Sequence, residues 1–279
     1  MTRFALAIAV KGPWDAERLL QDLRNAGVDA STEIHVACEP EHAPEAAPAG
    51  LTVHTKTDAS LFDLWGLAIA RSKADWVAIL HADALPAPGW FAAMQSAIEI
   101  EGSNDGYWGP VEPAFGASDP RMVGYLTEYC QFHRPPDPRL QEVPGSNLVL
   151  PRPRIEATDD FSKTRLLRQG LAPHFVEDAV VLYARPLHMA DYCARRFRHG
   201  RAYAAMRTPR LSLLLAIPMT AALPFVRTAR VLRHAWRHKR LRLAALRWVL
   251  AIFAAESCWS AGELTGYLTR RPGDTTALD

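Results

Sequence analysis

The chain has 279 residues, 49% hydrophobic and 22% charged, which excludes a disordered or fibrous chain and allows one large domain or a domain with an appendage. Its formal net charge of +2 conceals an asymmetry: Tyr192 to Ala255 holds 14 Arg and Lys and no acid, leaving 18 basic residues against all 30 acidic ones elsewhere. An acidic body with a basic region suits an anionic surface as partner, and no aromatic platform or groove-reading motif accompanies the charge, so nucleic acid is not expected.

The run "FALAIAV" (Phe4–Val10) is too short for a signal peptide's core plus cleavage site and is predicted as a first strand, buried on both faces. "DAERLLQDLRNAG" places Leu19, Leu20 and Leu23 on one face and stops at Gly27, the pattern of a helix. "EIHVAC" (Glu33–Cys38) is a second strand and "LTVHT" a short third one; "LFDLWGLAIARSKA" is a helix, and "DWVAIL" a fourth strand. This alternation predicts an α/β fold with an open, mostly parallel sheet flanked by helices. Ligands of such sheets bind outside the carboxyl ends of the strands, which puts Lys11, Glu39 and Asp83 on one rim.

The fourth strand runs into His81-Ala82-Asp83, and Pro86 and Pro88 bracket the exit, so a sharp turn is expected there. A helix over Phe91–Ile100 follows. "HRPPDPRLQEVPG" (His133–Gly145), with four prolines, is expected to be a surface loop serving as lid or acceptor loop. "SNLVLPR" is a strand, "FSKTRLLRQG" a short helix, "DAVVLYA" a strand, and "PLHMADYCARRFRHG" a helix stopped by Gly200.

The C-terminal third changes character. Leu211–Val226 is mostly apolar over sixteen residues with two prolines. As a helix it would be about 24 Å long, short of a hydrocarbon core of about 30 Å. The later stretch "LAALRWVLAIFAAESCWSAG" is interrupted by Arg247 and Glu256. Short apolar runs, basic flanks and boundary tryptophans fit an interfacial helix pair on an anionic leaflet, at the cytoplasmic face of a membrane; the other reading is a packed helical appendage with a solvated basic face that includes His234 and His238. Cys38, Cys130, Cys193 and Cys258 are widely spaced without a Cys-x-x-Cys pair, as free thiols in a reducing compartment are.

"EIHVACE", "LWGLAIARSKADWVAILHADALPAPGWF" (with Gly66 and Ala70 spaced as G-x-x-x-A), "PGSNLVLPR", "LLRQG" and "RRFRHGRAYAAMR" together resemble a family 2 glycosyltransferase of the GT-A fold. The resemblance extends to about Arg207, implying a GT-A-like domain over 1–207 and a C-terminal helical, membrane-associating region over 208–279. It implies a nucleotide-diphospho-sugar donor, a glycan or lipid-linked hydroxyl acceptor, and inverting single displacement. Asp83 is then the carboxylate for a divalent cation, Mg²⁺ or Mn²⁺, which would neutralise charge on the departing diphosphate. Its other reading is a turn-former ahead of Pro86. The chain departs from the family at His81, where Asp-x-Asp is usual: as a donor-site residue the histidine can still hydrogen-bond a ribose or reach a metal, but it removes one negative charge beside the donor.

Glu39 falls where similar enzymes contact the base or ribose. Lys11 is placed to meet a phosphate or to serve as a surface residue. The resemblance assigns the general base to Asp159 or Asp160, which also read as a helix N-cap; Glu177, Asp178, Glu112 and Glu128 are the other carboxylates considered. Asn147 matches a family position, with contact to acceptor or a turn-holding role left open. Arg198 and Arg201 are expected on a diphosphate or a lipid phosphate, or else on a basic amphipathic face. Two further functions stay in view: a nucleotide-sugar-binding protein without catalysis, and a nucleotidyltransferase releasing pyrophosphate.

Overall fold

The computed structural model describes residues 3–102, 105–140, 142–155, 170–207 and 213–271. By internal packing the chain divides into two units, Met1–Glu112 with Phe132–Ala184, and Pro113–Gln131 with Arg185–Leu278.

The first unit is α/β, as expected. β1 (Phe4–Val10) is buried along its whole length, and β4 (Trp76–His81) from Val77 onward, as parallel strands covered on both faces must be. With β2 (Glu33–Cys38) and β3 (Thr52–Thr55) they form the parallel part of a seven-stranded sheet ordered β3-β2-β1-β4-β8-β6-β9. β8 (Asn147–Pro151) joins antiparallel to β4, β6 (Tyr107–Trp108) antiparallel to β8, and β9 (His174–Phe175) parallel to β6. α1 (Ala16–Asn25) starts where the Asp15 carboxylate accepts the Arg18 N–H at 3.0 Å, and it buries Leu19 and Leu23 on the sheet. α2 (Leu61–Arg71) opens with a reciprocal capping box: Ser60 Oγ accepts the Asp63 N–H at 3.2 Å, and Asp63 accepts the Ser60 N–H at 2.8 Å.

The exit from β4 differs from the expected turn alone. After Asp83 the chain forms a short strand, β5 (Ala84–Pro86), antiparallel to β10 (Val181–Tyr183). β7 (Val111–Pro113) lies on the other side of β10, so β5 is an edge strand and tolerates Pro86, which has no N–H to donate. α3 (Trp90–Glu101) follows and buries Trp90 and Met94.

The second unit is helical: α4 (Met122–Glu128), α5 (Met189–Arg207), α6 (Leu213–Ala235), α7 (Lys239–Arg247) and α8 (Val249–Thr269). Gly200, expected to stop a helix, lies inside α5 instead. A Cβ there would stand 2.1 Å from the Trp259 carbonyl oxygen, and one on Gly262 would stand 2.0 Å from that of Phe197. These glycines let two helix backbones touch, a packing reason that outweighs their helix-breaking tendency. Pro218 and Pro224 also lie within a helix. Pro224 cannot donate to the Thr220 carbonyl one turn back, and Ser260 Oγ donates to that oxygen in its place. His234, expected on a solvated face, is buried at 8% exposure.

Candidate active site

Strand order fixes where a ligand can enter the first unit. The chain adds β2 and β3 on one side of β1 and then returns to place β4 on the other. The connections on the two sides of β1 and β4 thus diverge, and the carboxyl ends of this pair are the switch point at which open α/β sheets bind ligands. In register, Val10 pairs with Cys38 and Ala9 with His81, so Lys11 and Glu39 follow directly on their strand ends and Asp83 one residue later on the neighbouring third. The expected rim therefore exists.

Gly12 has φ +105°, a left-handed conformation that favours glycine and turns the chain away from the end of β1. Lys11 Nζ donates to Glu39 Oε2 at 2.9 Å and to the Ala59 carbonyl at 2.7 Å, with only 12% and 16% of the two side chains exposed. An ammonium has three N–H donors, so one direction remains after these two contacts. Glu39, Glu41 and His42 also bring possible ligand atoms within 4.8 Å of one another. Lys11 already occupies the Glu39 end of that cluster, and its positive charge opposes a cation there.

His81 ends β4 almost fully buried. Its Nδ1 accepts the Asp83 N–H at 3.0 Å and lies 3.6 Å from Asp83 Oδ2. An aspartate at position 81 could accept the same amide two residues on, as in an Asx turn. Histidine thus keeps the turn and gives up the charge. Nδ1 is committed to the backbone, and Asp83, with its side chain 34% exposed, is the carboxylate this turn presents. One carboxylate with phosphate and water oxygens is a sufficient protein contribution for Mg²⁺ or Mn²⁺, so the residues present fit such an ion.

Asn147 is resolved as structural. Its Oδ1 accepts Trp90 Nε1–H at 2.9 Å, while Nδ2 donates to the carbonyls of Pro110 at 2.9 Å and Ala179 at 2.8 Å. A fully buried amide with these three bonds ties α3 and β8 to two loops. Glu112 and Asp178 flank Arg134, at 2.6 Å and 4.0 Å. Asp159 and Asp160 lie outside the described residues.

The remaining expected residues sit in the helical unit. Arg198 is exposed on α5, and Arg201 Nε donates to the Arg271 carbonyl at 3.2 Å. Their neighbours Arg195 and Arg196, which nothing in the sequence singles out, are the buried pair. Arg195 meets Glu128 at 3.2 Å, and Arg196 meets Glu256 at 2.7 Å. Arg227 also binds Glu256, and both its guanidinium and that of Arg196 lie over the Trp259 ring, 4.4 Å and 4.5 Å from its centroid. Sequence reasoning also passed over Lys56 at the end of β3, 3.3 Å from Asp63; applying the strand-end rule to β3 would have found it.

No family model and no curated protein sequence matches the chain. Among solved structures it is similar to the mannosyltransferase PcManGT from Pyrobaculum calidifontis, determined in complex with GDP-Man and Mn²⁺. Identity is 18%, the match covers 96% of this chain and 85% of that one, and the TM-score is 0.45.

Proposed function

We propose that this chain is a glycosyltransferase that moves a sugar from a nucleotide-diphospho-sugar to a hydroxyl of a glycan or lipid-linked acceptor. The observation that supports this most is the rim of strand ends at the β1/β4 switch point, where the β4 turn presents Asp83 and the adjoining strand ends carry Lys11 and Glu39. Acid and ammonium on one rim suit the two ends of a nucleoside diphosphate: Glu39 toward ribose or base hydroxyls and N–H groups, Lys11 toward phosphate oxygen.

In the reaction, the acceptor oxygen attacks the anomeric carbon from the face opposite the diphosphate. The bond from that carbon to the diphosphate oxygen breaks, the acceptor proton passes to a carboxylate, and nucleoside diphosphate leaves. Asp159 or Asp160 is our choice of base, as the family resemblance implies. His81 holds the turn so that Asp83 faces outward with its amide already bonded. When bound by Asp83, a divalent cation supplies charge neutralisation on the departing diphosphate. Arg198 and Arg201 join the donor site only if Arg198→Ala and Arg201→Ala weaken nucleotide binding.

His81 favours one alternative, a protein that binds nucleotide sugar without turnover, because a site with one acid fewer holds a cation less well. Calorimetric titration with a panel of nucleoside diphosphates and their sugars, with and without Mn²⁺, tests the reading. Binding of one nucleotide that needs Mn²⁺ and is lost in Asp83→Asn is the expected result. Binding indifferent to both Mn²⁺ and Asp83→Asn would remove Asp83 from the donor site.

A further inference from the structure

Around a core that includes Val231, Leu241 and Ile252, the C-terminal helices bury several polar groups and expose several large apolar ones. On α6 the inward positions Ala216, Thr220, Pro224 and Thr228 are small or polar, whereas Ile217, Phe225 and Val226 are 53%, 66% and 60% exposed. The α7–α8 junction repeats this. Leu243 and Leu246 of α7, three residues apart and so on one helical side, are 57% and 50% exposed, and Leu250 at the start of α8 is 82% exposed. Such a patterned apolar surface marks an interaction site when it is contiguous along an element.

Charge selects the partner. The two carboxylates on α6–α8, Glu256 and Glu263, are both buried, so the exposed charge on the described part of these helices is positive. Along α6 the outer apolar stripe gives way to Arg230 and Arg233 and then, just past the helix end, to Trp236, also exposed. An apolar stripe grading into arginine and tryptophan is the profile of a helix seated at the boundary between headgroups and acyl chains. The interior is built for apolar surroundings as well: Arg196, Arg227, Glu256 and Ser260 satisfy one another or a carbonyl from within. No helix among the described residues is long and apolar enough to cross a membrane.

We propose that the outer face of α6 and the α7–α8 junction binds the surface of an anionic phospholipid bilayer. Its apolar side chains lie at the acyl boundary, and its arginines meet lipid phosphates. This rests on the helical unit alone and does not depend on sugar transfer.

Co-sedimentation of the full chain with vesicles of phosphatidylcholine, and of phosphatidylcholine mixed with phosphatidylglycerol, tests it. The charged vesicles should bind at least about tenfold better, and added salt should weaken that binding. Val226→Glu combined with Leu250→Glu should lower it by about tenfold or more while the thermal midpoint stays near wild type, since both side chains are exposed. Val226→Ser with Leu250→Ser gives the same test without new charge. Equal binding to both vesicle types, full binding by either variant, or self-association through this face with no vesicle binding would each overturn the proposal.

Discussion

In the sheet unit the deeply buried side chains are Leu6, Ile8, Ile79 and Leu80, each at most 1% exposed, while carboxylates and ammonium groups gather at the strand ends. In the helical unit Glu256, Glu263 and Arg196 are within 3% of complete burial, and Phe225 and Leu250 stand outside. The first arrangement is what water as solvent demands of both inside and outside. The second pairs Arg196 with Glu256 inside and leaves large apolar side chains outside among exposed arginines. One chain thus combines a sheet with its polar groups at the strand ends and helices that bury an ion pair.

Removing one partner of the buried ion cluster should have the largest effect. Glu256→Gln leaves Arg196 and Arg227 without their carboxylate and should cost about 3–5 kcal/mol, read by urea unfolding of the full chain. A cost below that of an ordinary surface change would mean that the polar interior is not what holds the helices. In the sheet unit, Asn147→Leu leaves the Trp90 indole N–H buried without its acceptor, for about 1–3 kcal/mol by the same measurement.

Acid should separate the units next. Burial disfavours a charged Glu128, but Arg195, Arg185, Arg196 and His199 together outweigh it and hold the carboxyl below its ordinary range. A depressed folded-state pKa stabilises above the unfolded value of about 4.3 and loses that contribution as pH falls through the folded value. The thermal midpoint of wild type should therefore fall more steeply than that of Glu128→Gln as pH is lowered through the acid range. The smallest effect belongs to Leu250→Ser alone, within about 0.5 kcal/mol in water, because that side chain is 82% exposed. A larger loss would show that the start of α8 packs its outer face against the protein itself.

The sheet was legible because its signals are local. The run Phe4–Val10, the Leu19, Leu20 and Leu23 face with its stop at Gly27, and the run "DWVAIL" each announce an element within a few residues, and the rim follows from the order of the strands. β5 was not legible: three residues ending in proline form a strand only because β10, almost a hundred residues later, pairs with them. Nor could spacing distinguish Arg195 and Arg196 from Arg198 and Arg201. All lie on one helix, and their fates depend on Glu128 and Glu256, 67 and 60 residues away from their partners. Gly200 misled for the same reason. A glycine that ends a helix and one that admits another helix look alike until the second helix is in place.

The central claim is that the rim of strand ends at β1, β2 and β4 serves sugar transfer. Its most direct test is ³¹P NMR of the full chain with Mn²⁺, the nucleotide sugar selected by calorimetry, and lipid-linked or glycan hydroxyl acceptors. Consumption of donor with appearance of nucleoside diphosphate, absent in Asp83→Asn, is the predicted result. Inorganic pyrophosphate among the products, or a donor that stays bound and intact with every acceptor, would contradict it.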